Sequence, residues 1–145
     1  MYKLIRNANI VINSKGNYYN FYKDEHDDLH MMKFNESRNL VESTLLDFEK
    51  VIDFSVYIDK EDTIHLINLL RNGNLVYSSF KNEEWSNDCI GKLDIKSNIY
   101  RQLSIYIMNN TIYILYAFTN LVNKNIWTLE LITGIGNSWS KSRII

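Results

Sequence analysis

The chain has 145 residues, of which 46% are hydrophobic and 13% aromatic, and its formal net charge is -1. This composition is too apolar and too aromatic for a disordered chain, and the length fits one ordinary domain. A near-neutral chain has no basic field to attract nucleic acid or an anionic membrane surface, so we expect neither as a partner.

The N-terminal residues MYKLIRNANIVINSKG contain no apolar segment of the length that a secretory signal requires. The longest apolar run, residues 111–118, is the size of a strand and too short for a membrane-spanning helix. A single cysteine, Cys89, excludes an internal disulfide framework. We therefore expect no signal peptide in this chain and favour a reducing, cytoplasmic location.

A first set of strands is predicted from three similar segments that begin 46 and 49 residues apart. These segments are ANIVIN (8–13), FSVYID (54–59) and LSIYIM (103–108). Each has β-branched residues at its third and fifth positions and ends at a polar turn, which is typical of a strand. Residues 2–6, Tyr-Lys-Leu-Ile-Arg, could add a further strand that pairs with a partner.

The remaining strands follow at similar offsets along the chain. Second strands are predicted at 17–23, 63–70 and 111–118, third strands at 29–34, 75–80 and 126–132, and fourth strands at 41–46, 89–93 and 141–145. The Asn72-Gly73 pair between two apolar runs predicts a two-residue type I′ hairpin turn.

Four strands in each unit of about 46 to 49 residues are the size of a β-propeller blade. We therefore predict an all-β chain of three four-stranded antiparallel blades, at about residues 7–50, 51–98 and 99–145. Propellers close with more blades than three, and a three-blade arc leaves two apolar faces bare. We expect a homodimer that closes a six-bladed ring, or closure by further propeller blades.

The middle repeat carries a resemblance to known propellers in Ile58–Ile67, Gly73–Phe80 and Trp85-Ser86. It resembles the repeats of sialidase-like and lectin-type propellers, in which an Asp closes the first strand, Ile-His-Leu opens the second and Tyr-Ser lies in the third. The sialidase Asp-box and arginine triad are absent, and so are the WD40 and kelch signatures. The resemblance thus implies a propeller without sialidase activity.

Three functions follow from this interpretation. The first is a non-catalytic binding or scaffold module that self-associates into a ring and binds a protein ligand. The alternative is a carbohydrate-binding lectin with a glycan ligand. A glycoside-active enzyme comes third, because no nucleophile–base pair or phosphate loop is readable in the sequence. Ligand contacts are expected in the loops that ring the propeller channel, at 23–28, 71–74 and 120–125, and in the blade linkers at 48–53 and 94–102. No cofactor is expected.

Aromatic residues are the candidate ligand contacts, because rings that stack on sugar faces are a usual device of lectins. The candidates are Tyr57, Tyr106, Trp85, Trp127 and Trp139. Packing between blades is the alternative role for these rings, since a large side chain can bridge two sheets.

An acidic segment with histidine, Asp24-Glu25-His26-Asp27-Asp28, is the candidate metal site, with Asp24, His26 and Asp28 as ligands. The segment lacks the glycine and distal glutamate of an EF-hand loop, so a solvated hairpin turn is favoured. We expect Asp59 to cap the turn that follows it, and His65 to bond the backbone at a strand start.

Overall fold

The computed structural model describes residues 9–145, and all thirteen regular elements in them are β-strands. The strands form three antiparallel sheets, so the predicted all-β class is confirmed. Sheet 1 contains β1 (Asn9–Ile12), β2 (Tyr18–Lys23), β3 (Leu29–Phe34) and β4 (Leu40–Leu45). Sheet 2 contains β5 (Val51–Ile58), β6 (Ile64–Leu70), β7 (Asn74–Lys81) and β8 (Glu84–Lys92). Sheet 3 contains β9 (Asn98–Met108), β10 (Thr111–Asn120), β11 (Thr128–Ile135), β12 (Ser138–Trp139) and β13 (Arg143–Ile144).

The fourth strands differ most from the predictions. In sheet 2, β8 begins at Glu84 rather than at residue 89, and in sheet 3 the predicted strand 141–145 is replaced by the short strands β12 and β13, which both pair with β11. Strand β9 begins at Asn98, so most of the segment 94–102 that was predicted as a linker is strand. The predicted strand at 2–6 lies outside the described residues. No helix in residues 9–145 is long and apolar enough to span a membrane.

The three sheets stack through their first strands, because β5 contacts both β1 and β9. One apolar cluster joins sheets 1 and 2 and a second joins sheets 2 and 3. Sheet 2 is therefore covered on both faces. Its strand β6 is buried at every position, and the adjacent Leu66 and Ile67 are both fully buried while pointing to opposite faces. This explains why residues 64–70 form a continuous apolar run rather than an alternating one.

Four hairpin loops share one design, in which an Asp or Asn at the first of five positions caps the loop. Asp59 Oδ1 accepts hydrogen bonds from the backbone N–H groups of Glu61 and Thr63, both at 3.0 Å, as predicted for this residue. The fourth loop residue, Asp62 here, has a positive φ of 62°. The other three loops begin at Asn13, Asp24 and Asn35 and have Gly16, Asp27 and Arg38 at the positive-φ position.

The predicted type I′ turn at Asn72-Gly73 is wrong. Gly73 has a φ of 92°, but Asn72 is not among the residues with positive φ, and both central residues of a type I′ turn require it. The Gly73 N–H instead bonds the Leu70 carbonyl at 2.9 Å. Adjacent positive φ values occur at Asn82-Glu83 and Asn109-Asn110, which connect β7 to β8 and β9 to β10.

Trp139 is held between sheets 2 and 3 by close contacts. Its ring lies 5.0 Å from the ring of Tyr77, and its Nε1 donates a hydrogen bond to Asp88 Oδ2 at 3.2 Å. Gly134 pairs directly with Trp139, and a Cβ at Gly134 would lie 2.5 Å from the indole Cζ3. Glycine at residue 134 is therefore needed because the indole occupies the space of a side chain.

We expect Gly134→Ala to lower the free energy of unfolding by about 1–3 kcal/mol, because the new methyl group displaces the Trp139 ring. Gly91→Ala is the matched control, since a Cβ at Gly91 would meet nothing within 4 Å. We expect it to change stability by less than about 0.5 kcal/mol. Urea unfolding followed by tryptophan fluorescence measures both, and equal midpoints for the two variants would contradict the assignment.

The Asp24 loop gives a prediction about acid stability. The hydrogen bond from His30 is the largest cause that lowers the pKa of Asp24 to about 2, which is below the ordinary value of about 3.9. A carboxyl group whose pKa is lower in the folded state stabilises the fold at pH values above its unfolded-state pKa. This contribution is lost as the pH falls through the folded-state pKa.

In Asp24→Asn the amide oxygen can still cap the loop, as Asn13 and Asn35 do in the equivalent loops. We expect wild type to be more stable than this variant at about pH 5, and the difference to shrink towards about pH 2. Asp24→Ala also loses the cap and should be the less stable variant at each pH. Urea midpoints measured from pH 2 to pH 5 test this, and a difference independent of pH would overturn it.

Candidate functional site

A central cavity lies where the first strands of the three sheets meet. Its volume is about 750 Å³, within the range of small-molecule sites. Strands β1, β5 and β9 all contribute to its wall. The lining residues are Asn9, Ile52, Asp53, Phe54, Ser55, Tyr100, Arg101, Gln102, Leu103, Ser104 and Tyr106.

Asp53 and Ser55 project from β5 towards β9 and bind its backbone. Asp53 Oδ2 accepts a hydrogen bond from the Leu103 N–H at 3.2 Å, and Ser55 Oγ accepts one from the Ile105 N–H at 3.3 Å. Burial raises the pKa of Asp53, although the N–H groups of Leu103 and Phe54 and the charge of Lys23 act in the opposite direction. The two side chains thus satisfy amides at the free edge of β9 and also form part of the cavity wall.

A bulge in β9 sets the direction of the cavity's basic residue. The pairing of β9 with β10 shifts between Leu115 and Ala117, and Gln102 has a positive φ of 57°. Bulges often re-aim a side chain in this way. Arg101 lies beside the bulge, and its guanidinium carbon is 5.7 Å from the ring centre of Trp127, a cation–π distance.

The five aromatic candidates lie in different places. Tyr106 lines the central cavity and is 49% exposed, while Tyr57 lines a second cavity. Trp127 is exposed beside Arg101. Trp85 and Trp139 pack between sheets: the Trp85 ring lies 4.8 Å from that of Phe80 and 6.3 Å from that of Phe21. The contacts of these two tryptophans fit the packing alternative.

The second cavity, of about 540 Å³, lies among the loops that connect β5 to β6 and β9 to β10. Its lining residues are Tyr57, Asp59, Lys60, Glu61, Ile107, Asn109 and Asn110. A buried chain of hydrogen bonds lies behind it: His65 Nε2 is 2.7 Å from Asp59 Oδ2, and His65 Nδ1 is 2.7 Å from the Tyr77 hydroxyl. His65 therefore bonds two side chains rather than the backbone partner that was predicted for it.

Burial and bonding account for the acidities in this chain of hydrogen bonds. Burial raises the pKa of Tyr77 to about 12. Partial burial acts to raise the pKa of Asp59, but the hydrogen bonds from His65 and from the backbone N–H groups together lower it. Asp59 is thus held as a carboxylate that positions the imidazole.

The candidate metal residues are engaged with protein groups. Asp24 accepts hydrogen bonds from the backbone N–H groups of His26 and Asp28, and its second oxygen lies 2.8 Å from His30 Nε2. Asp28 bonds Lys50 Nζ at 2.7 Å. Within residues 9–145, no group of three or more His, Cys, Asp or Glu side chains is arranged to hold a metal ion.

Sequence analysis included Asp53 and Arg101 in the segments expected to carry function but did not single them out as site residues. Both were placed in predicted linkers, at 48–53 and 94–102, whereas the structure places them in β5 and β9. A usable signal was the similarity of DFSVY (53–57) to QLSIY (102–106), which marks both segments as the same strand of the repeat.

No family model matches the sequence, and no curated protein matches it by sequence. Solved structures do match the fold. An endo-1,4-β-xylanase from Bacteroides thetaiotaomicron matches with a TM-score of 0.61 and 16% identity, over 92% of this chain and 51% of that one. An α-L-arabinofuranosidase from Clostridium thermocellum matches with a TM-score of 0.58 and 9% identity, over 95% and 49%.

A fucose lectin from Kordia zhangzhouensis matches with a TM-score of 0.52 and 13% identity, over 95% of this chain and 96% of that one. The chain thus spans about half the length of the first matched hydrolase and nearly the whole of the lectin. At these identities the matches show the fold alone. The chain has an all-β, propeller-like fold of the kind found in glycoside hydrolases and lectins.

Proposed function

We propose that the chain is a non-catalytic glycan-binding module whose site is the central cavity. One observation carries this proposal: polar and aromatic side chains from three consecutive first strands converge on one cavity, with the Arg101–Trp127 pair beside it. A scaffold role alone would not require such a set of groups.

The lining suits a saccharide because it offers both kinds of contact that a sugar needs. Asp53, Gln102 and Arg101 are donors and acceptors for hydroxyl groups. Trp127, which lies beside the lining residue Arg101, presents ring surface to the C–H face of a pyranose or furanose. A few directional polar groups around apolar surface are typical of small-ligand pockets.

The matched structures support a carbohydrate-related role, since they include a xylanase, an arabinofuranosidase and a fucose lectin. A hydrolase normally needs two carboxyl groups that flank the scissile bond. Asp53 is the one carboxylate among the described residues that line the cavity. The geometry therefore favours binding over cleavage, and the lectin alternative over a purely structural module.

We further propose that two copies close a six-bladed ring. The three sheets leave two outer faces, which are the face of sheet 1 turned away from sheet 2 and the face of sheet 3 turned away from sheet 2. Ile10 and Ile12 on the first face are 64% and 58% exposed, and Ile135 on the second is 65% exposed. Apolar sheet faces of this kind are rarely left in water.

The outer face of sheet 1 corresponds residue by residue to a face that is buried inside the chain. At the offset of 46 residues, Ile10 and Ile12 match Val56 and Ile58, which pack in the cluster between sheets 1 and 2. Phe34 likewise matches Phe80, a member of that cluster. The outer face of sheet 1 therefore has the pattern of a surface that receives a preceding blade.

We expect Arg101→Ala and Trp127→Ala each to weaken binding of a glycan selected from an array by about tenfold or more, which is about 1.4 kcal/mol. Arg101→Ala removes a side chain that lines the central cavity, and Trp127→Ala removes the ring beside that side chain. Titration calorimetry with the selected glycan measures the loss.

Lys60→Ala is the control, because Lys60 lies in the second cavity and its side chain is 84% exposed. Equal binding by wild type and both rim variants, or a loss confined to Lys60→Ala, would overturn the central site. Release of reducing ends from the bound glycan would identify a hydrolase instead.

Light scattering at micromolar concentration should give the mass of two 17.2 kDa chains for wild type. Ile12→Glu should shift the protein to monomer, since a buried unpaired charge in the interface costs several kcal/mol. Val122→Glu is the control, because Val122 is 95% exposed in the loop between β10 and β11. A monomeric wild type, or equal dissociation by both variants, would refute the ring.

A further inference from the structure

We propose that Ser104 of each copy accepts a hydrogen bond from the Ile10 N–H of the partner subunit, which sets the register of the ring interface. This inference rests on the proposed two-copy ring and adds the contact that aligns it. The model for this contact is the hydrogen bond between Ser55 and the Ile105 N–H inside the chain, because sheet 3 has the equivalent serine, Ser104, on its outer face.

The contact inside the chain joins sheet 2 to sheet 3. Ser55 on β5 accepts a hydrogen bond from the Ile105 N–H of β9 at 3.3 Å, and Asp53 accepts one from the Leu103 N–H at 3.2 Å. Strand β9 is the first strand of its sheet and has no strand partner on that side. The two side chains of β5 therefore take the place of a neighbouring strand for those amides.

The same side chains recur on β9, where the structure supplies no following sheet. Asp53, Ser55 and Tyr57 in β5 correspond to Gln102, Ser104 and Tyr106 in β9, so the serine and the tyrosine are identical. Tyr57 packs into the cluster between sheets 2 and 3, whereas Tyr106 is 49% exposed. The outer side of β9 thus has the same serine and tyrosine with which β5 contacts the sheet that follows it.

The strand that completes this contact is β1 of the second copy. Ile105 corresponds to Val56 in β5 and to Ile10 in β1. Ile105 faces the preceding sheet and is buried there, while Ile10 belongs to the outer face of sheet 1 and is exposed. Placing the partner's β1 beside β9, as β9 lies beside β5, brings the partner's Ile10 N–H to the Ser104 hydroxyl and covers Tyr106.

Other occupants of this face fit less well. The outer face of sheet 3 has apolar residues along β9, β10 and β11, which include Met108, Leu115 and Ile135. A broad sheet face of this shape matches another sheet. Sheet 1 of the second copy is such a sheet, because the equivalent face of sheet 2 already packs against a sheet inside the chain. A short peptide strand could bond the edge of β9 but would leave the apolar face uncovered.

Cysteine cross-linking tests the register directly. In a Cys89→Ser background, which removes the exposed native thiol, Ser104→Cys and Ile10→Cys are combined in one chain. Mild oxidation should convert most of this protein to a covalent dimer on a non-reducing gel. Mixing the two single-cysteine proteins should also give a covalent dimer, whereas each alone should remain a monomer on the gel.

Two further pairs calibrate the test. Ser55→Cys with Ile105→Cys reports the reference contact and should form a disulfide within one chain. Ser104→Cys with Val41→Cys is matched for exposure, because Val41 on β4 is 57% exposed, but it lies on the outermost strand and should not react.

The outcomes separate this inference from the proposals on which it rests. A dimer by light scattering without a 104–10 cross-link would overturn the register and leave the ring intact. Equal cross-linking of the Val41 pair would overturn the register as well. A monomer in solution would refute the ring and the register together, while glycan binding is measured in a separate experiment and is judged on its own result.

Discussion

The structure depends on the burial of apolar sheet faces against neighbouring sheets. A four-stranded sheet of this composition is apolar on both sides, and within residues 9–145 only sheet 2 is covered on both sides. Its consequence is visible in β6, where consecutive residues point to opposite faces and all seven are buried. Strand β10 in sheet 3 alternates between buried and partly exposed positions instead, because no described sheet covers its outer face.

The inner edges of the sheets impose a second requirement, which links folding to the site. The first strand of each sheet has backbone amides that no strand pairs, and in sheet 3 the side chains of Asp53 and Ser55 bond two of them. Burying a carboxylate for this purpose is costly, which is why burial raises the pKa of Asp53. The same groups border the central cavity, so a ligand there would contact the residues that hold two sheets together.

Much of the fold could be predicted from the sequence because the repeat offset aligned segments that are individually weak. The strands 29–34 and 75–80 and the cap at Asp59 follow from local pattern and turn chemistry. The turn at Asn72-Gly73 was assigned the wrong geometry, because an Asn-Gly pair also suits a longer loop in which only the glycine adopts positive φ. Strand β8 was predicted too short, since its exposed residues Asn87 and Asp88 give no strand signal.

The candidate site was less predictable, for a physical reason. The cavity takes residues from three strands that are about 46 to 49 residues apart, so no local motif marks it. Arg101 lies beside a bulge in β9, and a bulge depends on pairing with β10 rather than on the residue itself. The tryptophans illustrate the same limit: Trp85 and Trp127 were both candidates by residue type, but Trp85 packs beside Phe80 and Trp127 is exposed beside an arginine.

The repeat also constrains how far binding and assembly can be separated in this molecule. Gln102, Ser104 and Tyr106 line the cavity and lie on the strand that borders the outer face of sheet 3. A substitution at any of these three residues acts on the cavity wall and on that face at once, because residues two apart along a strand point to the same side.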